Sequence, residues 1–157
     1  MAAEALPRPR ILLFADTMCS WCYGFAPEMQ LVLSALGGRA EMMLFAGGLR
    51  PFTKEPMADK MRGYLAETFG RIHELTGQPF ADGAMQQPGF IYDTEPASRA
   101  VVTVRSLARG EEYPYMLAIQ SAFYAGGEDI TKTEVLAAHA EAAGLDRAAF
   151  TAAFESE

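Results

Sequence analysis

The chain has 157 residues, half hydrophobic and about a fifth charged, enough for one buried core and short for two. Thirteen Lys and Arg stand against twenty Asp and Glu, a net charge of −7. That balance argues against the basic footprint that nucleic-acid or anionic-membrane binding requires. No apolar run approaches the ~20 residues that cross a bilayer, and the opening MAAEALPRPRILLF lacks the pattern of a signal peptide. A cytoplasmic protein with no nucleic-acid or membrane partner is the expectation.

In chain order, Arg10 to Ala15 (RILLFA) has no helical spacing and suits a strand buried on both faces. Phe25, Met29, Leu31, Val32, Leu33 and Leu36 follow at spacings that place most of them on one side of a helix, stopped by Gly37 and Gly38. Glu41 to Ala46 (EMMLFA) reads as a second strand, ended by Gly47 and Gly48. Strand, helix and strand with a crossover of this length make a βαβ unit, so the strands are expected to be parallel. Phe14, Phe25, Met29, Met42, Met43 and Phe45 are assigned to the core.

The rest of the chain reads as helical. Met61, Tyr64, Leu65, Phe69, Ile72 and Leu75 form a stripe between Asp59 and Thr76, and Gly77 closes it. Residues 77–89 are a connector rich in Gly, Pro and Gln. Thr94-Glu95-Pro96 looks like a helix start with a hydroxyl cap. The AVVTV run at 100–104 is strand-like in propensity, but Ala97, Ala100, Val101, Val104, Leu107 and Ala108 keep helical spacing, which favours helix. Pro114 opens a further helix up to Gly126-Gly127, Thr131 and Glu134 form a capping-box pattern before another, and Asp146 caps a last short one.

Cys19 and Cys22, in DTMCSWCYGF, are the only cysteines. Their spacing alone fits a redox couple, half of a metal site, or two inert buried thiols. A metal site needs four ligands, and only His73 and His139 are left to join, neither at a ligand-like spacing. His139 reads as a core or boundary residue and His73 as a solvated one. A structural disulfide has little value in a reducing compartment, and so small a ring removes little entropy. At the start of a helix, unpaired N–H groups and the macrodipole favour a thiolate. Cys19 sits there, and Cys22, one turn on, is within reach of a mixed disulfide. Asp16, three residues before Cys19, is expected in a turn or capping role; if charged and close, it raises the Cys19 pKa. Trp21, between the thiols, is a candidate substrate contact through a partly exposed indole.

Five segments resemble the DsbA family of thioredoxin-fold oxidoreductases, in particular its cytoplasmic branch of predicted protein-disulfide isomerases related to the FrnE-like proteins. They are DTMCSWCYGFAP at 16–27, GGLRP at 47–51, ELTGQPF at 74–80, DTEPASRAVVTVR at 93–105 and AIQSAFYAGGEDIT at 118–131. The resemblance implies an α/β fold, a thioredoxin-like βαβ part at 1–52 and an α-helical insertion domain at 53–157. It also implies that Cys19 attacks and Cys22 resolves, on a protein or small-molecule thiol or disulfide substrate, with no metal or organic cofactor.

Kappa-class glutathione transferases and hydroxychromene-carboxylate isomerases share the frame and are the alternative, but typically place a serine where Cys19 stands. A helical interaction module without catalysis is the second alternative. Members of the fold carry a cis-proline loop, two antiparallel strands and a last helix after the insertion. No proline follows Pro114, so these C-terminal strands are expected to be absent and the chain to be a fragment. The sheet edge so exposed suggests self-association.

Overall fold

The computed structural model describes residues 8–156. Over these residues the order is β1 (Arg10–Ala15), α1 (Ser20–Leu36), β2 (Glu41–Ala46), α2 (Asp59–Thr76), a 3₁₀ turn (Ala84–Gln86), α3 (Glu95–Leu107), α4 (Glu112–Tyr124), α5 (Thr133–Ala142) and α6 (Arg147–Glu155). The strands pair in parallel, Arg10 opposite Glu41 through Ala15 opposite Ala46. The AVVTV run lies inside α3, with Ala97, Ala100, Val101 and Val104 buried. Its helical spacing decides over β propensity because that stripe meets the core.

α4 is buried nearly all round. It packs against α1, α3 and α5, and α3 in turn lies against β2. Gly24 brings α1 close to α2: a β-carbon there would sit 2.5 Å from Ile72 Cγ2. Gly83 and Gly127 form a second close approach, where a β-carbon on Gly83 would be 2.1 Å from the Gly127 Cα. α1 ends at Gly37 in the left-handed conformation, and α2 ends the same way at Gly77.

Several expectations need correction. β1 is not buried on both faces: Ile11, Leu13 and Ala15 face the core, while Leu12 and Phe14 are exposed, Phe14 at 69%. Alternation along a strand sends successive side chains to opposite faces, and among the described residues only one face of the sheet is covered by helices through Leu13 and Leu44. Phe14, Phe25 and Phe45 are therefore surface residues; Phe14 and Phe45 stack on each other at 4.8 Å. Leu31 and Val32 on α1, and Tyr64 and Leu75 on α2, also face outward.

Two caps differ as well. The Thr94 hydroxyl accepts from the Arg50 N–H rather than from its own helix, and Asp93 accepts from Glu95 N–H and Phe52 N–H. Thr131 bonds back to Asp129, so no capping box forms at α5. Asp146 does cap α6, accepting from Ala149 N–H at 2.8 Å.

Candidate functional site

Cys19 is the N-cap residue of α1, and Cys22 lies one turn in; both are free thiols and half-buried. The Cys19 sulfur closes no full cap hydrogen bond. The Cys22 thiol donates toward it, and the N–H groups of Cys22 and Trp21 present their positive ends. Together these lower the Cys19 pKa to about 6, against burial and the Asp16 carboxylate, which push it up. The largest contribution is the Cys22 thiol, ahead of the helix N–H groups. The same hydrogen bond, with burial, raises the Cys22 pKa and keeps that thiol protonated. The pair thus holds one thiolate and one thiol at neutral pH.

The turn that presents Cys19 is built from buried polar groups. Asp16 is 4% exposed. Its carboxylate accepts from Met18 N–H at 2.8 Å and from Leu49 N–H, in the loop after β2, at 2.6 Å. The turn role expected of Asp16 holds, with a cross-link to residues 47–52 in addition. The Asp16 carbonyl accepts from Cys19 N–H at 3.3 Å and from Gln120 Nε2 at 3.0 Å. The Met18 carbonyl accepts from the hydroxyls of Tyr92 and of Tyr124, the latter at 2.6 Å. Tyr92, Gln120 and Tyr124 were not identified from sequence. Gln120 carried a signal: a polar residue between the apolar positions Met116, Ile119 and Phe123 of α4 must find a partner once buried.

Trp21 is 46% exposed, with the Arg71 guanidinium 6.0 Å from its ring. Beside Cys22, an apolar recess of about 320 Å³ is lined by Leu13, Ala15, Trp21, Cys22, Tyr113 and Met116 among others. A recess of about 410 Å³ between α2 and residues 79–86 shares no lining residue with the thiols. His73 is exposed and bonded to the Gln78 carbonyl; His139 is half-buried and paired with Glu128 at 3.2 Å. The structure brings neither to the cysteines, and among the described residues no group of three or more His, Cys, Asp and Glu could hold a metal. No described helix is long and apolar enough to cross a membrane.

A parallel βαβ unit with two thiols at the strand-to-helix turn, packed on a helical body, is a thioredoxin-like arrangement. The DSBA-like thioredoxin domain family model matches residues 10–157, and the chain belongs to that family, whose members are thiol–disulfide oxidoreductases. Among solved structures, a provisionally assigned protein disulfide isomerase of Nitrosomonas europaea is 36% identical with a TM-score of 0.86; the match covers 94% of this chain and 71% of that one. The cytosolic disulfide reductase DsbM of Pseudomonas aeruginosa is 27% identical with a TM-score of 0.81, covering 94% and 69%. The same reductase with GSH gives the same identity and TM-score. No curated protein matches the sequence.

Proposed function

We propose that the chain is a cytoplasmic thiol–disulfide oxidoreductase in which Cys19 attacks and Cys22 resolves. The observation that carries this is the placement of the pair: two free thiols at the start of α1, Cys19 as its N-cap and Cys22 one turn in, with the Cys22 thiol donating to Cys19. The lowered Cys19 pKa and the raised Cys22 pKa fit these roles. The Cys19 thiolate attacks one sulfur of a substrate disulfide, forming a mixed disulfide and expelling the other substrate sulfur as a thiolate. Cys22 then loses its proton, to solvent or to that thiolate, and attacks Cys19 Sγ, which releases the second substrate sulfur. The substrate gains two electrons and the Cys19–Cys22 pair becomes a disulfide; the reverse sequence oxidises a dithiol. Trp21 supplies an apolar contact beside the reacting sulfurs, and neither metal nor organic cofactor takes part.

Of the described residues, 8–52 carry this chemistry and 53–156 form the helical body that supports it. The reductase direction has support from the P. aeruginosa relative, and its complex with GSH makes a glutathione-type thiol the co-substrate to test first. The decisive experiment traps the intermediate. Cys22→Ser is expected to accumulate a mixed disulfide on Cys19 with oxidised glutathione or a disulfide peptide, and Cys19→Ser to give none. A transferase or isomerase of the glutathione-dependent type would instead retain turnover in Cys22→Ser. Each described strand has one unpaired edge, and self-association through such an edge predicts a dimer in sedimentation that a proline placed in the pairing strand, β1 or β2, abolishes.

A further inference from the structure

The peptide group joining Met18 to Cys19 is held at both ends. Its carbonyl takes two hydroxyl donors, Tyr92 and Tyr124. Its N–H donates to the Asp16 carbonyl, which Gln120 holds from the other side. Tyr92, Gln120 and Tyr124 are buried, with Gln120 and Tyr124 almost wholly enclosed. None of the three belongs to the βαβ unit: Tyr92 precedes α3, and Gln120 and Tyr124 sit on α4. Two hydroxyls on one carbonyl exceed what satisfying a buried acceptor requires, since one donor already offsets the desolvation penalty.

We propose that Tyr92, Tyr124 and Gln120 are positioning residues of the redox pair: they fix the Met18–Cys19 peptide so that the Cys19 sulfur stays against the N–H groups of Trp21 and Cys22, and they thereby set how stable its thiolate is. This rests on the reading of Cys19 as the attacking thiol. Stabilising the thiolate stabilises the reduced pair, so the same contacts raise the reduction potential. The charged and titratable groups facing this region are Cys22, Asp16 and the two tyrosines, with Arg50 5.8 Å from the Tyr92 ring. Burial pushes the Tyr92 pKa up to about 12 and that of Tyr124 well above its usual value, and the Cys19 charge adds to both. Both hydroxyls therefore remain donors across the range in which Cys19 titrates.

The test uses Tyr92→Phe, Tyr124→Phe, the double variant and Gln120→Met in the full chain. Tyr115→Phe is the control, because Tyr115 donates a comparable buried bond to the Leu136 carbonyl at 2.9 Å, away from the thiols. The readouts are the pH dependence of iodoacetamide alkylation of Cys19 and the potential against a glutathione buffer, with circular dichroism to verify folding. The double variant is expected to raise the Cys19 pKa by about one unit, seen as roughly fivefold slower alkylation at pH 6, and to make the pair less oxidising. If the double variant does not fold, the single variants carry the test, each leaving one donor on the carbonyl; each is expected to slow alkylation about twofold. Unchanged thiol pKa and potential in folded variants, or an equal shift in Tyr115→Phe, overturns the proposal. A parent protein whose Cys19 has an ordinary thiol pKa overturns the functional reading instead.

Discussion

At the end of β1, residues 15–18 are buried, and the Asp16 carboxylate, the Asp16 carbonyl and the Met18 carbonyl each accept two hydrogen bonds. On the outward face of the same strand, Leu12 and Phe14 lie open, and Phe14 stacks on Phe45, which is less exposed. The polar turn is over-determined and the apolar face under-determined, the reverse of what side-chain character alone suggests. Hydrogen bonds in a buried turn are directional and leave one geometry for the thiol that follows, whereas exposed apolar contacts leave many. The thiol-bearing end of the sheet is therefore specified by polar groups that a hydrophobicity pattern does not display.

Substitutions on the two sides should separate them. Asp16→Ala strands two backbone donors and is expected to lower unfolding stability by about 2–4 kcal/mol in urea titration; a loss below about 1 kcal/mol would mean that water replaces the carboxylate. Gly24→Ala places a methyl against Ile72 and should reduce stability by about 1–3 kcal/mol while displacing α1, the helix that carries both thiols. Phe52 has a φ of 61°, and its N–H is pinned by Asp93. Phe52→Gly relieves that left-handed strain and should gain about 1 kcal/mol. Phe14→Thr, on the open face, is expected to change stability by less than about 1 kcal/mol, the range of a cross-strand pair. A larger loss there would show that the face is covered in solution.

The same contrast explains what could be read from the sequence. Both strands, the capping glycines Gly37 and Gly77, the helical spacing of α3 and the position of Cys19 at a strand-to-helix turn were legible, because each depends on local periodicity or a local breaker. The exposure of Phe14, Phe25 and Phe45 was not legible: an apolar run does not state which face a helix will cover. Nor were the bonds from Tyr92 and Tyr124 to Met18, which join residues more than seventy positions apart. The Thr94 and Thr131 caps failed for a related reason, since each hydroxyl found another partner, Arg50 N–H and Asp129.

The thiol pair carries a signed pH dependence. Because the folded Cys19 pKa lies below the ordinary thiol value of 9.0, Cys19 contributes stability to the reduced protein that is complete above that value. The contribution is lost as pH falls through about 6. Cys22, raised, contributes in the opposite sense and only at alkaline pH.

The most direct measurement follows the thiolate absorbance of the reduced protein against pH, in the parent chain and in Cys19→Ser. One thiol titrating near pH 6 in the parent, and no such step in Cys19→Ser, is the predicted result. A parent chain that forms no thiolate until about pH 8 or above, where an unperturbed cysteine ionises, would contradict it.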